Sequence, residues 1–218
     1  KIASMDLNNY VFLEYVAKKN KTIVLSTGLS NLDEIDKAIS TIEKYNQNII
    51  ILHCVSIYPC NDFDINLNNI DTLKKIYPYP IGFSDHSMGF SIPLASVLKG
   101  VCLIEKHFTL DRNMEGWDHK VSATPEEFEI ICTESKRIIN SLGSSRIIAP
   151  EDTTRVKEFR RSIIINKDLK AGSKLNEKDL VFKRPGSGIQ PNEIKYVLGR
   201  TTKINLLKDD ILFWDMLI

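Results

Sequence analysis

The 218 residues carry 29 Lys and Arg against 28 Asp and Glu, for a formal net charge of +1, with 43% hydrophobic residues. That near-cancellation argues against a nucleic-acid surface, because neutralising phosphates needs a basic excess. The longest apolar runs, such as "IIILHCV", are too short to cross a bilayer, and no basic segment followed by an apolar one opens the chain, so no signal peptide is expected.

The length exceeds that of a usual single domain, so one large unit or two smaller ones is expected. The four cysteines (Cys54, Cys60, Cys102, Cys132) are scattered, with no C-x-x-C pair. They read as reduced thiols of a cytoplasmic protein rather than a disulfide frame or a zinc site. Cys54 and Cys102 fall inside strand-like runs and are expected in the core.

"KIAS" opens as a strand, and "LNNYVFLEYVAKK" follows with helical spacing of Val11, Phe12, Tyr15 and Val16. "KTIVLSTG" predicts the next strand. A helix then begins at Ser30-Asn31 and carries Leu32, Ile35, Ala38, Ile39 and Ile42, with Glu34 near its start where the helix dipole favours an acid. "NIIILHCV" is the third strand, followed by a helix around Leu67–Ile76. "YPIGFSDH" is the fourth, followed by the helix "SIPLASVLK". "VCLIEKHFTL" is the fifth, and its helix "TPEEFEIICTESKRIINSL" has Thr124 as N-cap and Pro125 in the first position. This alternation predicts an α/β fold with a parallel sheet. Continuous apolar strands such as "TIVL" fit burial on both faces. The sheet is either doubly wound or part of a β/α barrel; no G-x-G-x-x-G follows a strand, which disfavours a dinucleotide fold.

Residues 146–158 are polar, carry a Pro and both charge signs, and read as a linker. Beyond them, short apolar runs separated by Gly, Pro, Asn and Asp predict a small β-rich domain over 159–218, whose thin core leans on a neighbour.

Polar residues gather at the strand ends. Ser4 and Asp6 follow the first strand and Ser26-Thr27-Gly28 the second. Cys54 to Tyr58, including Ser56, end the third, Ser84-Asp85-His86 the fourth and Glu105-Lys106-His107 the fifth. In parallel β/α folds the C-terminal strand ends form the active-site face. His86 and His107, on adjacent strand tips, suit a shared divalent ion with positions left for water and substrate oxygens. Either histidine alone fits an ordinary hydrogen-bonded role; together, beside serines and carboxylates, they favour the metal. His53, inside an apolar run, is expected to be a satisfied core imidazole. His119 follows Asp118 in a loop, within possible reach of substrate. Lys106 is expected on the opposite side of its strand from Glu105 and His107, in a buried salt bridge. "NDFDINLNN" lacks the central Gly and terminal Glu of an EF-hand, so calcium is rejected.

The segments "HCVSIYP", "GFSDHSMG", "IEKHFTLD", "GWDHKVS", "RRSI" and "KRPGSGI" run in order over nearly the whole chain. Together they resemble the sialic acid synthase family, which includes synthases of N-acetylneuraminate, legionaminate and pseudaminate and spore-coat polysaccharide homologues. The resemblance implies the C-terminal part of a TIM-type (β/α) barrel, strands four to eight, over residues 1–145. It also implies a β-clip SAF (antifreeze-like) domain over 159–218. The first three barrel strands of the family are absent from this sequence.

Family members condense phosphoenolpyruvate with an N-acetylated amino sugar such as N-acetylmannosamine, releasing phosphate, so the resemblance implies a transferase that forms a C–C bond. By the same resemblance His86 and His107 match the two metal ligands, for Mn²⁺ with Mg²⁺ or Co²⁺ as alternatives, an ion that polarises the sugar aldehyde. Lys1, Ser4, Ser26 and Ser84 match positions that hold the phosphate and carboxylate of phosphoenolpyruvate, charges that suit lysine and hydroxyl donors. Ser56 stands where some members have Asn. Tyr58 and Asp118 match sugar-contacting positions, Asp118 being counted with the catalytic acids. Glu105 is placed to orient metal-bound water, and Asp6, where many members carry Glu, to transfer a proton. Arg184 matches an arginine that reaches from the tail domain into the partner subunit's active site, which implies a domain-swapped homodimer for the complete enzyme. No nucleic acid or membrane partner is implied.

Two other readings follow from the residues. A partial barrel exposes open sheet edges, which suit a non-catalytic interaction or assembly piece, and the segment alone is expected to be inactive. Another metal-dependent aldol-type enzyme would share the barrel, but "KRPG" and the β-rich tail argue against it.

Overall fold

The computed structural model describes residues 1–145 and 150–218. The chain divides into two compact units, residues 1–144 and 145–218. The first four residues of the expected linker (146–149) lie outside the described residues.

In the first unit helix α1 (Tyr10–Ala17) precedes strand β1 (Ile23–Ser26), and α2 (Leu32–Glu43) precedes β2 (Ile49–Cys54). A short α3 (Asp62–Ile65) and α4 (Asn68–Ile76) lead to β3 (Ile81–Asp85), and α5 (Ser91–Leu98) to β4 (Ile104–Lys106). The long α6 (Pro125–Leu142) closes the unit. The strands form one sheet in the order β1-β2-β3-β4, every pair parallel. Sequential parallel strands with helices between them fit part of an α/β barrel. The register pairs Ser26 with Leu52, Cys54 with Ser84, and Ser84 with Glu105, so the polar strand ends share one edge of the sheet.

Local chemistry explains the helix boundaries. Asn31 accepts from the Glu34 amide while Glu34 accepts from the Asn31 amide, a reciprocal capping box. Thr124 and Glu127 repeat it at α6, with Pro125 in the first turn. Four of the five apolar residues expected along α2, Ile35, Ala38, Ile39 and Ile42, are buried in the same core as Leu25, Ile51 and Phe83, while Leu32 at its first position is exposed.

Three expectations are corrected. "KIAS" contributes one parallel bridge, Ile2 to Leu25, because the chain turns into a 3-10 helix at Ser4–Asp6. In α1 the buried residues are Leu13 and Ala17, while Val11 and Tyr15 face outward; apolar residues occur on nearly every side of this helix, so their spacing does not choose a face. Cys102 is exposed rather than in the core.

In the second unit α7 (Thr153–Phe159) occupies the end of the expected linker, with Asp152 as N-cap accepting from the Arg155 amide. Strand β5 (Ser162–Ile165) pairs antiparallel with β6 (Leu180–Lys183), and α8 (Ile194–Val197) follows. Ile163, Ile165, Leu175, Leu180, Ile189, Val197, Leu206, Leu212 and Leu217 form its core. Isolated bridges, such as Leu169 to Leu206 and Thr202 to Leu217, complete a β-rich domain. Among the described residues no helix is long and apolar enough to cross a membrane.

Candidate active site

A cavity of about 480 Å³ opens at the C-terminal ends of the parallel strands, a volume that accommodates small-molecule ligands. Lys1, Ser4, Ser26, Ser56, Tyr58, Ser84, His86, Glu105, His107 and Asp118 all line it. Ten of the twelve expected site residues therefore meet in one place. Asp6 sits on the 3-10 turn beside Ser4 and is not part of the lining. Arg184 belongs to the second unit, where its guanidinium carbon lies 5.2 Å from the centre of the Phe159 ring.

Strand geometry explains the convergence. Side chains alternate along a strand, so Ser84 and His86 share one face of β3 and its continuation. Glu105 and His107 share the corresponding face of β4 and its continuation, and the register sets Ser84 beside Glu105. Ser84 Oγ donates to Glu105 Oε1 at 3.0 Å, and Lys1 Nζ lies 3.2 Å from the same oxygen. Glu105 is thus tied to a hydroxyl and an ammonium. Ser26 Oγ is buried with no hydrogen-bond partner in the protein. A buried hydroxyl left in this state favours a polar ligand in the cavity.

The two imidazoles are neighbours, with ring centres 5.3 Å apart and planes tilted by 43°. Tyr58 lies against both, 4.1 Å from the His86 ring and 5.7 Å from the His107 ring. His86 Nδ1 is 2.7 Å from the Val55 carbonyl. A carbonyl only accepts, so Nδ1 carries the proton and a neutral ring keeps its lone pair on Nε2. Such a backbone contact is the usual way a ligating histidine is oriented. His107 Nδ1 lies 3.8 Å from Asp118 Oδ2. Among the described residues no group of three or more His, Cys, Asp or Glu side chains forms a metal-binding cluster. The donor set is this pair, which fits an ion that completes its shell with water and substrate oxygens.

Two features, one in the cavity lining and one packed behind it, escape the sequence reading. Cys54, expected as a core residue, is buried yet contributes its sulfur to the cavity wall. Ser4 Oγ donates to Sγ at 3.6 Å, and Ser56 Oγ and His86 Nδ1 lie at 3.8 and 4.0 Å. Burial pushes the thiol up, but hydrogen bonds with His86, Ser4 and Ser84 and the His86 charge outweigh it and bring it down to about 7. Burial pulls His86 down in turn, and the Cys54 sulfur and Val55 carbonyl more than reverse that, leaving it raised. Gly28 is the second feature: a Cβ there would lie 2.3 Å from Ser56 Oγ and 2.7 Å from Ser4 Oγ. Only glycine leaves room for both hydroxyls. A single sequence carries no signal for either, since a Cys in an apolar strand and a Gly after one are both commonplace.

The remaining polar groups lie elsewhere. His53 is a core imidazole as expected, its Nε2 2.6 Å from the Ile65 carbonyl. His119 hydrogen-bonds Thr109 Oγ1 at 2.7 Å and does not line the cavity. Lys106 turns away from Glu105 and His107 as expected and pairs with Asp85, both side chains buried. A second cavity, about 330 Å³, shares Cys54 but contains none of the expected site residues.

Residues 1–146 match the NeuB family and residues 160–218 the SAF domain. An uncharacterized protein of Methanocaldococcus jannaschii is 44% identical over 220 residues, covering 100% of this chain and 65% of that protein. The N,N'-diacetyllegionaminic acid synthase of Campylobacter jejuni is 38% identical over 216 residues, covering 97% and 65%. Among solved structures, the N-acetylneuraminic acid (sialic acid) synthetase of Leptospira borgpetersenii is 43% identical with a TM-score of 0.65, over 71% of this chain and 54% of that one. The chain thus spans about two thirds of the length of the curated relatives it matches. It belongs to the NeuB family, with a SAF domain after the NeuB part.

Proposed function

We propose that the protein containing this chain is a sialic-acid-type synthase, which condenses phosphoenolpyruvate with an N-acetylated amino sugar to a nonulosonic acid and releases phosphate. The observation that carries this reading is the meeting of Lys1, four serines, Glu105 and the two imidazoles in one strand-end cavity. Its support from outside the chain is its similarity to relatives such as the legionaminic acid synthase of Campylobacter jejuni. The four strands correspond in this reading to the later strands of a complete barrel, numbered four to eight with the Ile2 bridge. The SAF domain's Arg184 reaches the partner subunit's site in a domain-swapped dimer, and the enzyme works in the cytoplasm.

Each side chain then has a task. Lys1 and the hydroxyls of Ser4, Ser26 and Ser84 bind the phosphate and carboxylate of phosphoenolpyruvate, a multiply charged anion that charge-assisted hydrogen bonds hold well. Ser26 Oγ gains the partner it lacks. Tyr58 and Asp118 contact the sugar, and Ser56 completes the wall beside Gly28. His86 and His107 hold a divalent ion, Mn²⁺ or in its place Mg²⁺ or Co²⁺, which when bound supplies Lewis acidity to the sugar aldehyde. C3 of phosphoenolpyruvate attacks the aldehyde carbon; water adds at C2, and C–O cleavage releases phosphate. Glu105, already tied to Lys1 and Ser84, orients the water, and Lys1 stabilises the charge that develops on the phosphate side. Asp6, outside the lining, would move a proton only through water.

The test is phosphate release by the complete protein with phosphoenolpyruvate and a panel of N-acetylated amino sugars. Sugar-dependent release with formation of a keto acid is the expected result. No release with any sugar, together with a defined complex between this chain and another protein, would favour the assembly reading.

A further inference from the structure

Asp85 and Lys106 form a carboxylate–ammonium pair at 2.5 Å with side chains 0% and 1% exposed. Burying two charges is costly, and such a pair is often no more stabilising than an apolar one of equal size. Its best-attested use is to fix register. The location gives that use a purpose. Asp85 and Lys106 are register partners across β3 and β4. The residue after each is His86 and His107, so the ion pair is the rung directly before the histidine rung, on the opposite face of the strands.

The pair also grips the turn that carries His86. Lys106 Nζ donates to the Ser87 carbonyl at 2.6 Å, and the Ser87 amide donates to Asp85 Oδ1 at 2.9 Å. The Cys60 amide donates to the His86 carbonyl at 3.0 Å. Both backbone groups of Ser87 and the carbonyl of His86 are therefore held, which fixes the backbone from which the His86 side chain enters the cavity.

We infer that the Asp85–Lys106 pair is a positioning device that sets the separation and tilt of the His86 and His107 rings. The device acts through the histidines and touches no substrate. It rests on the proposed metal reading only for its purpose; the geometry it enforces is measurable without a metal.

The experiment uses the 218-residue chain without added metal. Histidine side-chain NMR of the unaltered chain is expected to show ring-to-ring NOEs between His86 and His107, and hydrogen exchange to show Ser87 protected as strongly as the amides of β3. The Asp85→Leu/Lys106→Met variant removes both charges and the acceptor of the Ser87 amide together, so no buried ion is left alone. It is expected to keep the amide spectrum of the remaining core while the ring NOEs disappear and Ser87 loses protection. A Co²⁺ titration then gives about a tenfold to hundredfold weaker affinity for that variant, the usual cost of losing an orienting partner. Unchanged ring NOEs in the double variant, or a Ser87 amide that exchanges freely in the unaltered chain, overturn the inference. Ring geometry that depends on the pair in a chain that binds no Co²⁺ leaves the positioning role standing and removes the metal reading. Co²⁺ bound equally by both proteins, with ring geometry unchanged, does the reverse.

Discussion

The two units each bury a carboxylate beside a lysine, and the two pairs differ in kind. Asp85 and Lys106 are both sealed beneath the strand-end cavity. Asp179 is equally buried, but Lys167, 2.7 Å from its Oδ1, keeps its side chain 60% exposed. Asp179 also closes a local capping box with Asn176, accepting from the Asn176 amide at 3.0 Å. One pair ties two strands that carry residues of the candidate site; the other finishes a turn. Ser87 stands on the turn that the first pair holds, and Ser26, Ser84 and His86 line the nearby candidate site, all four buried and polar. A fold concentrates desolvated polar groups where chemistry needs them, and elsewhere settles each one locally.

The sharpest way to break this comparison is to remove each lysine. Lys106→Met leaves a carboxylate buried and unpaired, and is expected to cost about 3–5 kcal/mol. Lys167→Met removes a mostly solvated partner, and the loss is expected to stay near 1 kcal/mol or below. Urea unfolding of both variants measures the difference. Equal losses would show that the two pairs are alike and that the first has no special burial.

A smaller effect separates the site from its scaffold. Gly28→Ala pushes its Cβ into the hydroxyls of Ser56 and Ser4. Displacing those hydrogen-bonding groups is expected to lower kcat/KM of the complete enzyme about tenfold to a hundredfold. Unchanged kinetics would remove the serine wall from the account.

The smallest effect concerns the second unit. Burial pushes Asp179 up, but Lys167 and the Asn176 amide outweigh it, and the group is held below the usual carboxylate value. A carboxylate with a depressed folded value adds stability that is complete above its unfolded value, about 4. That stability fades as pH falls below this value and is gone once pH passes the folded one. Trp214 emission in a Trp117→Phe background is expected to report an unfolding midpoint that drops across this acid range. Asp179→Asn flattens that part of the curve; an identical acid profile in the variant would contradict the assignment.

Much of the first unit was legible in the sequence because its signals are strong and local. Apolar strands recur with helices between them, and Asn31 and Thr124 announce their helices. Eight of the ten residues that line the cavity were legible because they stand at strand ends, and parallel strands bring their ends together whatever the details of packing; Lys1 and Asp118 were legible only through the family resemblance. What stayed hidden depends on three dimensions. Leu13 and Val11 are equally apolar, and only the neighbouring helix decides which is buried. Cys54 reads as core until Ser4, distant in sequence, is seen to donate to it. Residues 153–158 read as linker because Pro150 and mixed charges masked the Asp152 cap. The partnership of Asp85 with Lys106 was half visible, since alternation turned Lys106 away from His107 but could not name its acid.

The most direct test of the central claim is phosphate release by the complete enzyme after chelation and after Mn²⁺ is restored, in the unaltered protein and in His86→Ala. Activity that vanishes on chelation, returns with Mn²⁺ in the unaltered protein and stays absent in His86→Ala is the predicted result. Full activity in metal-stripped buffer, or in His86→Ala, would contradict it.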